Sequence, residues 1–425
     1  MEDRNGIALV TKKILIAVVA SAAIVAAVAA LVYERELRRI QFALSLFTGA
    51  EQYEAFARIP EIYPTSRMPA AATPHSFPEG EPISLPESFD YAGATVDTQT
   101  FLAETDTSAL LVLEDGRVRY ERYMLTGGRD VGWLSMSVAK SFVSAAVGIA
   151  VEEGHIRSIE EPITAYVPRL AGSAYDGVRI KDILQMSSGA RWNEDYSDPE
   201  SDINRFGRIM ALGGSMDEFA ATLEREHEPG TLNHYNSTDT QVLGMLLVAA
   251  TGRSVADYMA EKLWQPLGME SDGHWIVDSE GMELVFGGLN ATARDYAKLG
   301  ELYRLGGRWN GEQIVPEAWV HASVTPDAPH LTPESKADDP FPVGYGYQWW
   351  IPAGDEGEFS AIGVYNQFIF VNPSRDLVVV KLSAFSDYAT SLDESAYREV
   401  ESFEFFRAIA RRIESLRAAP AEPLR

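Results

Sequence analysis

Three short stretches hold residue types that can do acyl chemistry. The first is Leu134-Ser135-Met136-Ser137-Val138-Ala139-Lys140-Ser141-Phe142. Ser137 and Lys140 stand three residues apart, nearly one helical turn, so both side chains fall on one face. A free serine hydroxyl is a poor nucleophile and needs a neighbour to take its proton. A lysine amine serves if burial lowers its pKa. At the first turn of a helix the serine would also meet unpaired N–H groups, which favour developing negative charge. The competing reading is a surface helix with its lysine in water. Against that, the sequence after Lys140 is apolar through Val151, and a lysine in such a helix is costly without a purpose.

The second stretch is Pro229-Gly230-Thr231-Leu232-Asn233-His234-Tyr235-Asn236-Ser237. Tyr235 is a candidate proton carrier, since a tyrosine beside an ammonium can have a lowered pKa. Ser237 is a candidate hydrogen-bond partner for the lysine or the substrate. The competing reading is a helix N-terminus capped by Asn236 or Ser237, with Tyr235 packed. The third stretch is Gly363-Val364-Tyr365-Asn366-Gln367, leading into a strand. A glycine before a strand lets a ligand approach the backbone. Gly363, Tyr365 and Asn366 are therefore substrate-binding candidates, and this edge could give a second oxyanion N–H beside that of Ser137. The alternative is a plain turn.

Other templates are missing. There is no Gly-x-Ser-x-Gly elbow, Walker loop or His-Glu-x-x-His. Order alone leaves a Ser-His-Asp triad open, with His234 and His274 the histidines to watch. Asp195, Asp198 and Asp202 do not fit a calcium loop; no metal site and no cofactor is expected. The chain has no cysteine, which excludes disulfides and thiolate catalysis. A net charge of −26 argues against nucleic acid, which needs a basic footprint.

Positioning these residues calls for a large core, which 46% hydrophobic residues over 425 positions can supply. Residues 1–13 form a short tail. Residues 14–33 are an unbroken apolar run of about 20 residues, the length of a bilayer-spanning helix. We expect an uncleaved transmembrane anchor there; the rival is a signal peptide cut near Ala27-Val28-Ala29. Basic residues flank both ends of the run, so charge does not orient it. A juxtamembrane helix to about Phe47 and a Pro-rich stretch, from Pro60 to Pro86, fill residues 34–97 as an extended linker or a wrap over the domain surface. The globular domain is expected at 98–417, with 418–425 a tail. Asp115-Gly116 between the runs Ala109–Leu113 and Val118–Tyr123 signals a hairpin. Helical patterns follow around 180–185, 216–226, 240–251, 255–263 and 293–305. A second hairpin turns across Asn372–Asp376, and a long helix runs from about Ser391 to Leu416. Strands at both ends with helices between imply an α+β fold: an antiparallel sheet flanked by helices, plus an all-helical subdomain.

With these stretches in hand, the chain resembles the serine β-lactamase and penicillin-recognising superfamily. It looks most like the class C-like branch that includes 6-aminohexanoate-dimer (nylon oligomer) hydrolases and related esterases. The resemblance runs from about Thr107 to Leu416. Ser137-Val138-Ala139-Lys140 matches the first motif. Tyr235-Asn236-Ser237 stands where class C enzymes have Tyr-x-Asn, and its serine looks like the nylon-oligomer branch. Ala361-Ile362-Gly363 stands where β-lactamases have Lys-Thr-Gly or His-x-Gly. Further signatures are Leu184–Gly189 with Trp192–Tyr196, Gly287-Gly288-Leu289 with Asp295, and Gly344–Trp350. The resemblance implies a β-lactamase/transpeptidase-like fold after a transmembrane helix. It implies that Ser137 attacks a carbonyl, that Lys140 and Tyr235 move its proton, that the N–H groups of Ser137 and Val364 hold the oxyanion, and that water releases an acyl-enzyme. Tyr196 becomes a substrate contact. The substrate is a small-molecule amide or ester. Ala361 lacks the cation that binds a β-lactam carboxylate, which moves the substrate away from β-lactams; a β-lactamase, a D-amino-acid peptidase and a non-catalytic envelope protein are the alternatives. Because such domains are commonly exported, the expected location is the bacterial inner membrane, single-pass, with the domain periplasmic. Oligomeric state is not readable.

Overall fold

The computed structural model describes residues 13–14, 16–31, 33–34, 52–337, 339, 341–391 and 393–418. The chain divides into two compact units, 1–47 and 48–425. In the first, Ile16–Leu31 is an apolar helix; no single described helix is long and apolar enough to cross a membrane. The helical pattern expected from Glu34 to Phe47 lies almost wholly outside the described residues.

The second unit is built on a seven-stranded antiparallel sheet. In spatial order its strands are Val343–Tyr345, Trp350–Pro352, Phe359–Gly363, Gln367–Asn372, Leu377–Ser383, Thr107–Glu114 and Arg117–Tyr123. The expected hairpins are both present. Asp115 and Gly116 take positive φ, +49° and +67°, which a tight two-residue turn requires. Strands far apart in sequence meet where Val380 pairs with Leu111.

Thr107–Glu114 and Gln367–Asn372 are buried along their whole length, as strands covered on both faces must be. Phe368 and Phe370 point to one face, packing with Phe403, Phe406 and Ile409 of the C-terminal helix Glu399–Ala418. Ile369 and Val371 point to the other, where Gly300 of the helix Ala293–Arg304 lies against Ile369 and Val378. The period of two along the strand thus serves two helical layers.

The helical part holds Ala139–Glu152, nearly all buried, and Ser237–Thr251, buried through Leu247. Helix Val255–Met259 continues as a wider turn to Trp264. Met216–Ala220 is shorter than expected, and the C-terminal helix begins at Glu399 rather than Ser391.

Of the two readings of the Pro-rich stretch, a linker and a wrap over the domain surface, the hydrogen bonds fit the wrap. Thr65–Met68 pairs with Gly273–Ile276 in a four-stranded sheet that also contains Leu289–Ala291 and Trp133–Leu134. Further on, Gly80 N donates to Val118 O and Ile83 N to Arg119 O at 2.9 Å each. Residues 78–83 thereby cover the outer strand Arg117–Tyr123, whose edge would otherwise be open. The compact unit therefore starts near Thr48, well before the expected boundary at 98.

Candidate active site

Ser137 sits in a tight turn, Met136–Val138, just before the helix Ala139–Glu152. Met136 has φ +49°, a conformation that costs energy in a residue with a side chain and marks strain next to the reactive group. The strand Trp133–Leu134 delivers this turn, held by Ser135 N to Leu289 O at 2.9 Å.

Lys140 is 1% exposed. Its Nζ lies 3.2 Å from Ser137 Oγ, 3.1 Å from Ser237 Oγ and 2.8 Å from Phe286 O. The Ser237 hydroxyl donates to Glu194 Oε1 at 2.7 Å, so its lone pairs face the lysine. Phe286 O only accepts. A neutral amine with two N–H groups spends them on these two acceptors, which leaves its lone pair for the Ser137 hydroxyl. Burial lowers the Lys140 pKa to about 7, although Glu194 and Asp239 pull it upward. The neutral, proton-accepting form is therefore well populated near neutral pH.

Tyr235, partly buried, stacks on Trp350 with ring centroids 5.1 Å apart, and its ring centroid lies 5.3 Å from Lys140 Nζ. Its pKa moves against the expectation from sequence. Burial raises it well above 10, reinforced by Tyr345 and Glu194, while the Ser137 hydroxyl acts in the opposite direction. A lysine held near neutrality does not stabilise a phenolate. Tyr235 is thus a protonated phenol facing the serine, suited to donate or relay a proton rather than to start as a base.

Ser237 opens the helix Ser237–Thr251, where Asn236 is the N-cap and accepts from Thr238 N at 2.8 Å. Asn236 thus caps the helix and Ser237 bonds Lys140; fully buried and absent from the cavity lining, Ser237 is not placed as a substrate contact. Glu194, which the sequence reading did not single out, organises this corner. It accepts from Trp192 Nε1, from Tyr196 OH at 2.7 Å, and from Ser237 N and Oγ. The only sequence signal was its place within Trp192–Tyr196. Asp239, also missed, accepts from Tyr175 and Ser188 at 2.9 and 2.7 Å, and burial pushes it up to about 7.

Ser137 opens into a cavity of about 330 Å³ that also contains Val364, Tyr196 and Tyr235. Phe341, Trp350, Tyr388 and Tyr397 add aromatic surface. Val364 and Ser137 share this cavity, and no turn or loop hydrogen bond among the described residues uses either N–H.

Three candidates are corrected. Gly363 does not line the cavity; a Cβ there would come within 3.0 Å of Ser137 N and collide with Ser135 O. The close approach it permits is by the nucleophile's own turn, not by a ligand. Tyr365 is buried away from the cavity between Phe56 and Tyr388, ring centroids 5.5 Å from each. Asn366 is fully buried: its amide donates to Tyr397 O, and its Oδ1 accepts from Lys381 Nζ and Ser402 Oγ at 2.9 Å each. Both residues turn the hairpin with φ of +67° and +69°. Neither histidine joins Ser137: His234 Nε2 pairs with Trp192 O, and His274 Nδ1 with Thr65 Oγ1.

A serine held by a buried lysine at the mouth of a cavity defines an acyl-transfer site. The family model described as Beta-lactamase matches residues 99–401. The 6-aminohexanoate-dimer hydrolase of Paenarthrobacter ureafaciens is 33% identical over 343 residues, which is 78% of this chain and 85% of that protein. The chain belongs to the beta-lactamase family and is a serine hydrolase. Among solved structures, a Bacillus anthracis protein described as a 6-aminohexanoate-dimer hydrolase superposes with a TM-score of 0.77 at 23% identity, covering 87% of this chain and 96% of that one. A family VIII carboxylesterase superposes at 0.52 with 14% identity, covering 72% and 92%. These two show the same fold.

Proposed function

We propose that the protein hydrolyses amide or ester bonds of small molecules through an acyl-enzyme on Ser137. The observation that carries this is the Lys140 amine, buried and 3.2 Å from Ser137 Oγ, with its other two contacts already committed. Ser137 attacks the carbonyl carbon as its proton passes to Lys140. The carbonyl oxygen takes the negative charge against the N–H groups of Ser137 and Val364. Tyr235 relays the proton to the leaving amine or alcohol, and the tetrahedral intermediate collapses to an acyl-serine. Water then attacks the acyl-serine by the same steps in reverse roles. Tyr196 borders the substrate.

The substrate assignment draws on the hydrolase and carboxylesterase relatives and on Ala361, which offers no cation for a β-lactam or peptide carboxylate. Ser137→Ala should lower turnover of ester and linear amide substrates by at least about 10⁴-fold. Turnover within tenfold of the wild type would overturn the assignment.

We also propose that residues 14–33 anchor the protein in the bacterial inner membrane, with residues 48–425 on the periplasmic side. The supporting features are the apolar helix Ile16–Leu31 and an apolar run that reaches about 30 Å if helical throughout. Recovery of the full chain in the soluble fraction after cell lysis would contradict it.

A further inference from the structure

The cavity that holds Ser137 also holds four carboxylates, Glu194, Asp339, Glu394 and Glu399, and no basic side chain lines it among the described residues. Two of the four are fully used. Glu194 accepts from Trp192, Tyr196 and Ser237. Glu394 accepts from Tyr91 OH at 2.6 Å and from the N–H groups of Val400 and Glu401 at 2.9 and 3.3 Å.

Glu399 is different. It is 8% exposed, and its one side-chain hydrogen bond is Tyr388 OH to Oε1 at 2.7 Å. Oε2 accepts none among the described residues. Glu399 is the first residue of the helix Glu399–Ala418, where the helix dipole favours a carboxylate. Burial and the neighbouring Glu394 outweigh that and push its carboxyl up to about 7, with no cation among the groups acting on it. A buried carboxylate normally has an ionic partner; here the space beside it is the substrate cavity. The flanking surface suits a cation as well. Tyr388 and Tyr397, which meet edge to face at 5.1 Å, both line the cavity, and aromatic rings attract positive charge.

We propose that Glu399, with the Tyr388 and Tyr397 rings, forms a subsite for a cationic group of the substrate, an ammonium or guanidinium on the amide or ester that Ser137 cleaves. This rests on the acyl-enzyme reading above and adds the substrate's charge. The net charge of −26 favours the approach of such a substrate, whereas an anionic one meets only like charge in the cavity.

The test uses the purified full chain and three esters of equal size. One carries an ammonium on the acyl half, one carries it on the alcohol half, and one has methyl in its place. The expected result is a kcat/KM about 10- to 100-fold higher for one cationic ester than for the uncharged one. Glu399→Gln should abolish that preference and Glu399→Asp should keep part of it. An alkylammonium salt should compete with the uncharged ester on the wild type, and the matching alcohol should not; this arm holds even if the variants fail to fold. Equal turnover of all three esters, a preference that survives Glu399→Gln, or absence of ammonium competition would overturn the subsite. Turnover of the uncharged ester and fluorophosphonate labelling of the wild type report Ser137 separately, so loss of the subsite and loss of the acyl-enzyme reading give different results.

Discussion

At the scale of single residues the chemistry turns on the state of one amine. Lys140 is pulled down by burial and up by Glu194 and Asp239, and it settles near 7. The base must be unprotonated, so activity rises with pH through this value and is lost below it. kcat/KM should therefore show an acid limb centred near 7. Glu194→Gln removes a negative charge that favours the ammonium, so the limb should move to lower pH. A pH–rate profile of the two proteins checks this; a limb that stays fixed or moves upward contradicts it. The Ser137–Lys140 pair was legible in the sequence because a spacing of three residues is a local geometry. Glu194 was not, because its role depends on a loop brought against the start of another helix. The raised Tyr235 pKa was not legible for a related reason: burial in the folded site causes it, and the groups that reinforce it, Tyr345 and Glu194, come from elsewhere in the chain.

At the scale of elements, the site is a meeting of a strained turn, a helix start and a hairpin. The hairpin Phe359–Gly363 to Gln367–Asn372 brings Val364 to Ser137, and Gly363 allows the approach. Gly363→Ala places a Cβ 3.0 Å from Ser137 N, so the turn and hairpin must separate. Stability should fall by about 1–3 kcal/mol and kcat by about 100-fold, read by thermal melting and steady-state kinetics. An unchanged kcat would show that the hairpin supplies no oxyanion donor. Asn366, taken from sequence as a substrate contact, instead ties the hairpin to Tyr397 and Ser402. Its neighbour Lys381 is buried and its pKa is well below the usual lysine value, burial being the main cause. Gln348, within the Gly344–Trp350 signature, links the helices Ala139–Glu152, Ser237–Thr251 and Ile180–Leu184: Ser141 donates to its carbonyl, Thr240 to its Oε1, and its amide to Leu184 O. A signature in sequence thus marks a structural joint as readily as a ligand contact.

At the scale of the whole molecule, the four strands of the two expected hairpins were readable from their turns and their six to eight residues, whereas Val343–Tyr345, Trp350–Pro352 and Phe359–Gly363, at three to five residues, gave no such signal. The four-stranded sheet of Thr65–Met68, Gly273–Ile276, Leu289–Ala291 and Trp133–Leu134 was not readable either. Its strands are two to four residues long, too short for a period of two to show, and the partners are far apart in sequence. Pro-rich composition left a linker and a surface wrap both open, and did not show that the segment hydrogen-bonds along a sheet edge. The division into units 1–47 and 48–425 predicts that a chain beginning at Thr48 keeps the full chain's kcat/KM. One beginning at Thr98 should lose activity, because it lacks the strand Thr65–Met68 and the edge cover. Equal activity of the two truncations would show that residues 48–97 are dispensable.

The mechanism requires that Ser137 be the residue acylated during turnover. Mass spectrometry of the digested protein after fluorophosphonate treatment, and after acid quench with a slow ester, tests it most directly. The prediction is one adduct, on the peptide containing Ser137, absent from Ser137→Ala. An adduct on another residue, or labelling that persists in Ser137→Ala, would contradict it.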